Sequence, residues 1–289
     1  MIDLFIDNKK IDTGRITFSD GAFGFDLKDL PETANRIVFS VDPSTKVNTI
    51  LDELYQLNDA IAEELYPFAE RTLFIPYLPY GRADRQFSNT GNSGLHTFLL
   101  NINGFLFDKI VVVDPHNPNA LLKKISFCDA EIEIVTQRQA LAVAIQQLHI
   151  DIDQYDAIVA PDKGAVSKAQ EIADYYGLPL IVCTKQRDPA TGKLSNPVVN
   201  GDVAGLKLLI VDDIGDYNNT FAQLTKELLR KEAKEVDLYV THLIAPNKLS
   251  NLEHLVSKVY CYHCVCGYMT TEEVRKFNDR NFNRRSLEG

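Results

Sequence analysis

A chain of 289 residues has room for two medium domains or one large one, each burying a useful core, and two is the better expectation. Its 45% hydrophobic and 24% charged residues exclude an intrinsically disordered chain. A formal net charge of −10 excludes a sequence-independent grip on nucleic acid, which needs a surplus of Lys and Arg on one face, so no nucleic-acid partner is expected and any anionic ligand must be held locally. No stretch approaches the run of about eighteen apolar residues that a membrane span needs. The start, Met1-Ile-Asp-Leu-Phe-Ile-Asp7, carries acids where a secretion signal carries a basic segment. No membrane partner and a cytoplasmic location are therefore expected.

In chain order, Arg36–Val41 reads as a strand, 47–64 as an amphipathic helix, 71–76 as a strand and 110–113 as another. The helical pattern fades near 148–155, and the boundary is placed there: one domain over 1–148 and a second over 149–289. Beyond it, Ala157–Ala160 reads as a strand and 164–176 as a helix, with Ala165, Ala169, Ile172 and Ala173 near one face. Strands follow at 178–183, 208–211 and 236–241, with a helix over 220–233 between the last two. Short β-branched runs alternating with helical periods predict an α/β protein built on mostly parallel sheets. Among five cysteines, Cys261, Cys264 and Cys266 flank His263 and offer zinc-ligand types. No second ligand pair stands at finger spacing, so this β-rich run reads as strand thiols packed like small hydrophobes.

The most informative segment is Leu208-Leu-Ile-Val-Asp212-Asp213-Ile-Gly-Asp216-Tyr217-Asn218-Asn219-Thr220. An apolar strand is expected to end in two carboxylates, a third follows, and a short polar loop leads into a helix. Paired carboxylates at a strand's C-terminal edge can accept hydrogen bonds from the vicinal hydroxyls of a ribose, while loop amides and a helix N-terminus receive a phosphate. An acidic pair by itself more often starts a turn or caps a helix. The apolar strand in front favours the ligand reading.

That arrangement resembles the signature of the type I phosphoribosyltransferase fold, in which Asp-Asp or Glu-Asp is followed by a loop of the Thr-Gly-Gly-Thr type. Four further segments resemble the ribose-phosphate pyrophosphokinase family, in the family's order. They are Phe18-Ser-Asp20-Gly21, Pro76-Tyr-Leu-Pro-Tyr80-Gly-Arg82-Ala-Asp84-Arg85, Asp114-Pro-His116 and Pro161-Asp162-Lys163-Gly164-Ala165, with Lys185-Gln-Arg187 following. The resemblance implies two phosphoribosyltransferase-like domains, ATP bound on the N-terminal side partly at a subunit interface, and a homo-oligomer, dimer or hexamer. It also implies a Mg²⁺-dependent transfer of the β,γ-diphosphate of ATP to the C1 hydroxyl of a phosphorylated ribose, with release of AMP.

Each segment suits that chemistry, which asks a protein for positioning and charge neutralisation. Lys185 and Arg187 follow a strand and precede a polar stretch, where they can close over phosphates as a flap; by resemblance they are the catalytic pair, with His116. Arg82 and Arg85 flank Asp84 and can pair with ATP phosphates or stack on adenine; Asp20 and His116 join the ATP side. Asp114 and His116, just past an apolar strand, can hold a hydrated Mg²⁺, and Asp162 a second metal or the ribose side. Asp212, Asp213, Asp216, Tyr217, Asn218, Asn219 and Thr220 form the expected ribose-phosphate set.

Three departures from the family touch ligands. Ala22 stands where the family has Glu, Ala83 where it has Gln, and the glycines of the phosphate loop are replaced by Tyr217-Asn218-Asn219-Thr220. Glycine lets a backbone wrap a terminal phosphate closely, whereas Asn brings a side chain and tolerates positive φ less readily. Two acceptors therefore stay open. One is ribose 5-phosphate; the other, slightly preferred, is ADP-ribose, whose 5-phosphate is esterified onward and which connects to NAD metabolism. A non-catalytic regulatory homologue and a phosphoribosyltransferase are the competing readings.

Overall fold

The protein's structure is a computed structural model that describes residues 1–61, 65–86, 88, 90–184 and 197–264. It divides into two compact units, Met1–Val135 and Thr136–Gly289. The first unit runs β1 (Ile2–Ile6), β2 (Lys9–Lys10), β3 (Ile16–Thr17), β4 (Phe23–Gly24), β5 (Arg36–Val41), α1 (Val47–Ala60), β6 (Glu70–Ile75), α2 (Gly94–Asn103), β7 (Lys109–Val113), α3 (Pro118–Lys124) and β8 (Glu131–Val135). Its six-stranded sheet has the order β2-β1-β5-β6-β7-β8. The strands β5 to β8 are parallel, while β1 pairs antiparallel with both β2 and β5. Strands β3 and β4 form a separate hairpin.

Sequence periods explain the packing. Ile37, Phe39 and Val41 alternate with more exposed residues along β5, and Ile50, Leu54 and Leu57 recur on one face of α1; all six are buried in one apolar core. The helix expected over 47–64 stops at Ala60, where Ile61 leaves helical geometry with φ −113 and buries its side chain in that core.

The second unit runs α4 (Gln137–Leu148), β9 (Ala157–Ala160), α5 (Val166–Tyr176), β10 (Leu180–Thr184), β11 (Val198–Asn200), β12 (Lys207–Gly215), α6 (Asn219–Arg230), β13 (Glu235–Leu243) and β14 (Val259–Cys264). It starts on a capping box: the Thr136 hydroxyl accepts from the Gln139 amide at 3.3 Å, and the Gln139 side chain accepts from the Thr136 amide at 2.7 Å. The division thus falls ahead of α4, not after residue 148 as the fading helical pattern suggested. Leu141 and Ala144 of α4 are buried with Tyr239 and Tyr260 of this sheet, which draws the helix into the second unit.

The sheet order is β11-β10-β9-β12-β13-β14, with β11 antiparallel on the edge and the other strands parallel. Strand β12 sends Leu208 and Ile210 to one face and Leu209 and Val211 to the other, each face with its own apolar cluster. The residues expected to share a face of α5, Ala165, Ala169, Ile172 and Ala173, are all buried. The cysteine-rich run forms β14, with Cys261 buried; Cys266 lies outside the described residues. No helix among the described residues is long and apolar enough to cross a membrane.

The chain leaves β9 for β10 on one side and returns to β12 on the other, so the strand order reverses between β9 and β12. In open α/β sheets that reversal opens a crevice beyond the strands' carboxyl ends, where ligands bind. Both of the second unit's acidic segments, after β9 and at the end of β12, lie at this switch point.

Asp237 is an acid buried inside the sheet. Asp237 of β13 accepts hydrogen bonds from the Tyr155 hydroxyl at 2.6 Å and the Lys258 amide at 2.8 Å. Burial still pushes its pKa up to about 6, against the lowering effect of the Tyr155 bond. A folded-state value above the unfolded one makes the stabilising contribution complete below the ordinary carboxylate range and lost as pH rises through about 6. Urea unfolding of the wild type and Asp237→Asn at pH 4.5 and pH 8 should show the variant gaining on the wild type at the higher pH; a constant difference would remove Asp237 as the source.

Candidate functional site

In the first unit the expected ATP-side residues other than Asp20 lie on the loops after two adjacent parallel strands, β6 and β7. The loop after β6 is fastened to the start of α2. The Ser93 hydroxyl donates to the Ala83 carbonyl at 3.2 Å and accepts from the His96 amide as the cap of α2. Gly94 permits this approach, because a Cβ there would stand 2.9 Å from the Tyr80 ring. Arg82 and Arg85 are exposed and Asp84 between them is half-buried. After β7, Asp114 is buried at a positive φ of 39, and His116 two residues on is exposed.

Asn117 joins the two loops. Its Oδ1 caps α3 by accepting from the Ala120 amide at 3.1 Å, and its Nδ2 donates to Asp84 at 2.9 Å. The structure thereby brings Asp84 beside the Asp114–His116 loop, a link that the sequence did not suggest. Asp20 stands apart in the exposed β3–β4 turn, where its carboxylate accepts from the Ala22 amide at 3.0 Å. Lys185 and Arg187 lie outside the described residues.

In the second unit β12 is longer than expected. Asp212 and Asp213 do not follow the strand; they belong to it, which continues to Gly215 because pairing with β13 persists as far as Gly215 and Leu243. Successive residues of a strand point to opposite faces, so the acids are not two equivalent arms. Asp213 is buried, 7% exposed, with its carboxylate 3.4 Å from the Lys168 ammonium of α5. Asp212 accepts the Asp213 amide at 3.0 Å. Burial raises its pKa well above the ordinary range, the Asp213 carboxylate adds to the rise, and Asp162 contributes further, while the Asp213 amide and Lys168 pull the other way. Asp162, just after β9, accepts the Gly164 and Ala165 amides at 2.9 and 3.3 Å and so shapes the turn into α5.

The loop from Asp216 to Thr220 differs from a glycine loop in a specific way. Asn218 takes the positive φ, +60, that a glycine would otherwise supply, and caps α6 with its backbone. Its side chain is 4% exposed, and neither amide atom has a hydrogen-bond partner among the described residues. Gly215 makes room for that side chain: a Cβ at 215 would lie 3.3 Å from the Asn218 Oδ1, and 3.0 Å from Leu243 on β13. Tyr217 is 61% exposed, Asn219 is exposed, and Asp216 and Thr220 are half-buried. Asn251, in the 3₁₀ turn Pro246–Leu252, donates to the Tyr217 carbonyl at 2.7 Å and to Asn219 Oδ1 at 3.2 Å. Neither Lys168 nor Asn251 was singled out from the sequence; one is a lone Lys on a helix and the other lies far along the chain, with no motif around either.

The arrangement can receive a polyol against the acids and an anion at the α6 N-terminus. A family model described as the phosphoribosyl transferase domain matches residues 131–265. The ribose-phosphate pyrophosphokinase of Pyrococcus furiosus is 31% identical over 210 residues, covering 72% of this chain and 71% of that protein. The chain belongs to the ribose-phosphate pyrophosphokinase family. The Saccharolobus solfataricus relative of the same name is 31% identical over 174 residues, and there the match spans 60% of this chain and only 57% of the relative. Among solved structures, the phosphoribosylpyrophosphate synthetase from Mycobacterium smegmatis superposes with a TM-score of 0.70 at 23% identity, over 88% of this chain and 80% of that one, which establishes a shared fold. Two phosphoribosyltransferase-type α/β units, as expected from the sequence, are therefore the architecture of this family member.

Crowded carboxylates cost stability when nothing binds them. Because the Asp212 pKa is raised, its charge penalises folding increasingly as pH climbs above the ordinary carboxylate range and not at all below it. Asp212→Asn keeps the acceptor for the Asp213 amide and removes the charge. Its melting temperature should exceed that of the wild type at pH 7.5 and match it near pH 4; equal or lower melting at pH 7.5 would show that the crowding costs nothing.

Proposed function

We propose that this chain is an ATP-dependent diphosphotransferase that moves the β,γ-diphosphate of ATP to the anomeric C1 hydroxyl of a phosphorylated ribose and releases AMP. The observation that carries this reading is the set Asp162, Asp212 and Asp213 at the β9/β12 switch point, with a helix N-terminus directly following, in a chain of this family. Vicinal ribose hydroxyls donating to Asp212 and Asp213 replace the water those groups lost and stabilise the charge that burial, and then the Asp213 carboxylate, make unfavourable at Asp212. Asp216, Tyr217, Asn219 and Thr220 surround the phosphate end, with Asn218 buried beneath them.

On the ATP side, Arg82, Asp84 and Arg85 serve the nucleotide with Asp20 and His116, and the Asn117 bridge to Asp84 holds two of these loops in one register. Lys185 and Arg187 stabilise charge on the transferring phosphates. No group of three or more His, Cys, Asp or Glu among the described residues stands ready to hold a metal unaided. Carboxylates in ones and twos fit Mg²⁺, which keeps much of its water and binds largely through substrate phosphates. Asp114 and His116 would hold one hydrated ion, and Asp162 a second ion or the ribose side; bound Mg²⁺ would neutralise phosphate oxygens. The reacting hydroxyl attacks phosphorus directly, so no covalent enzyme intermediate is invoked. A homo-oligomer in the cytoplasm is part of the same proposal.

ADP-ribose is the favoured acceptor, rather than ribose 5-phosphate. Three features support an acceptor that continues past its 5-phosphate: a loop without glycine, an Asn218 side chain packed under it, and an exposed Tyr217 ring at its edge. Purified protein incubated with Mg²⁺, ATP and either sugar should release AMP and yield a sugar heavier by one diphosphate, faster with ADP-ribose. AMP release with neither sugar favours the regulatory reading, and diphosphate release from phosphoribosyl diphosphate plus a base favours a phosphoribosyltransferase. Lys185→Ala should lower kcat by at least about a hundredfold; an unchanged kcat removes it from the mechanism.

A further inference from the structure

We propose that Asn251 is a positioning residue that sets acceptor specificity, by locking the Asn219 amide as an outward hydrogen-bond donor and by fixing the backbone that carries Tyr217. The inference rests on the extended-acceptor reading above. It starts from the two bonds that Asn251 Nδ2 makes, to the Tyr217 carbonyl at 2.7 Å and to Asn219 Oδ1 at 3.2 Å. An amide nitrogen offers two hydrogens, and here both are used on the loop.

The second bond decides the orientation of Asn219. With Oδ1 engaged by a donor, the other branch of the amide is the NH₂ group, and Asn219 is exposed. The first residue of α6 therefore presents donors beside the helix N-terminus, where the backbone already favours an anion. Asn218, at the cap of the same helix, adds an amide that is 4% exposed with no partner among the described residues, a buried polar group of the kind that a ligand or water satisfies. The first bond holds the Tyr217 carbonyl and so limits where its ring, 61% exposed, can stand.

The clamp is itself anchored. The turn Pro246–Leu252 buries Leu249 and Leu252 in the cluster that also holds Phe221 and Leu224 of α6, so Asn251 and the loop it grips share one core. A donor at 219 and an aromatic platform at 217 suit a diphosphate followed by a nucleoside; a terminal monophosphate has nothing to place on the tyrosine.

The test compares kcat/KM for ADP-ribose with kcat/KM for ribose 5-phosphate, at saturating Mg·ATP, in the wild type, Asn251→Ala and Asn251→Asp, with the KM for ATP as the control. Asn251→Asp offers an acceptor where the donor stood, which repels the Tyr217 carbonyl and turns the Asn219 NH₂ inward. The expected result is a fall of at least about tenfold in the ADP-ribose to ribose 5-phosphate ratio in both variants, larger for Asp, carried by the acceptor KM while the KM for ATP stays within about twofold. A wild type that prefers ADP-ribose and variants whose ratio stays within about threefold would overturn the role of Asn251 alone. A wild type without that preference would overturn the extended-acceptor reading, and this inference with it. Parallel losses for both sugars and for ATP, with lowered melting temperature, would mark Asn251 as merely structural and also overturn it.

Discussion

Three carboxylates forced together at a reversal of strand order are the constraint on which the second unit's chemistry depends. Asp162 is carried there by β9, and Asp212 and Asp213 by β12, the neighbouring parallel strand. Lys168 stands 3.4 Å from Asp213 and also pulls the Asp212 pKa down, yet the Asp212 pKa remains raised. A protein selected for stability alone would place an apolar or amide group at such a point. A cluster that is expensive when empty and relieved by hydroxyl donors or cations is the expected signature of a binding site.

The apolar layers make this expense tolerable. Strand β12 is buried on both faces for four residues before its first acid, with Leu208 and Ile210 on one side and Leu209 and Val211 on the other. Those contacts fix the register of β12 against β9 and β13, and the register fixes which carboxylate meets Lys168. A one-residue slip would exchange the faces of Asp212 and Asp213.

Much of this was legible in the residues. The β-branched runs, the apolar face of α5 and the strand-loop-helix grammar around Asp212 are local signals, and they located β9, β12, α5 and α6 within a few residues. The strand end was misplaced because two adjacent acids look like a turn; the cross-strand bonding to β13 that keeps them extended involves residues far along the chain. Helix α4 packs with the second unit for the same kind of reason, since its partners Tyr239 and Tyr260 come about a hundred residues later. Lys168, Asn117 and Asn251 carry no motif at all. Their importance comes from a second residue that each one touches. Gly215 shows the same dependence: its missing Cβ has meaning only once Asn218 is seen folded beneath the loop.

Gly215 and Asn218 also show how a loop leading into a helix can take its positive φ without a glycine at that position. The positive φ moves onto an Asn, the side chain is stowed over a neighbouring glycine, and the exposed positions are taken by Tyr217 and Asn219. The change leaves the acids at 212, 213 and 216 in place. A crystal structure of the protein with ADP-ribose tests the central claim most directly. The ribose 2- and 3-hydroxyl oxygens should stand within about 3.2 Å of the Asp212 and Asp213 carboxylates, with the 5-phosphate at the N-terminus of α6. A pentose bound away from these acids, or turned so that its C1 hydroxyl is buried against them, would contradict it.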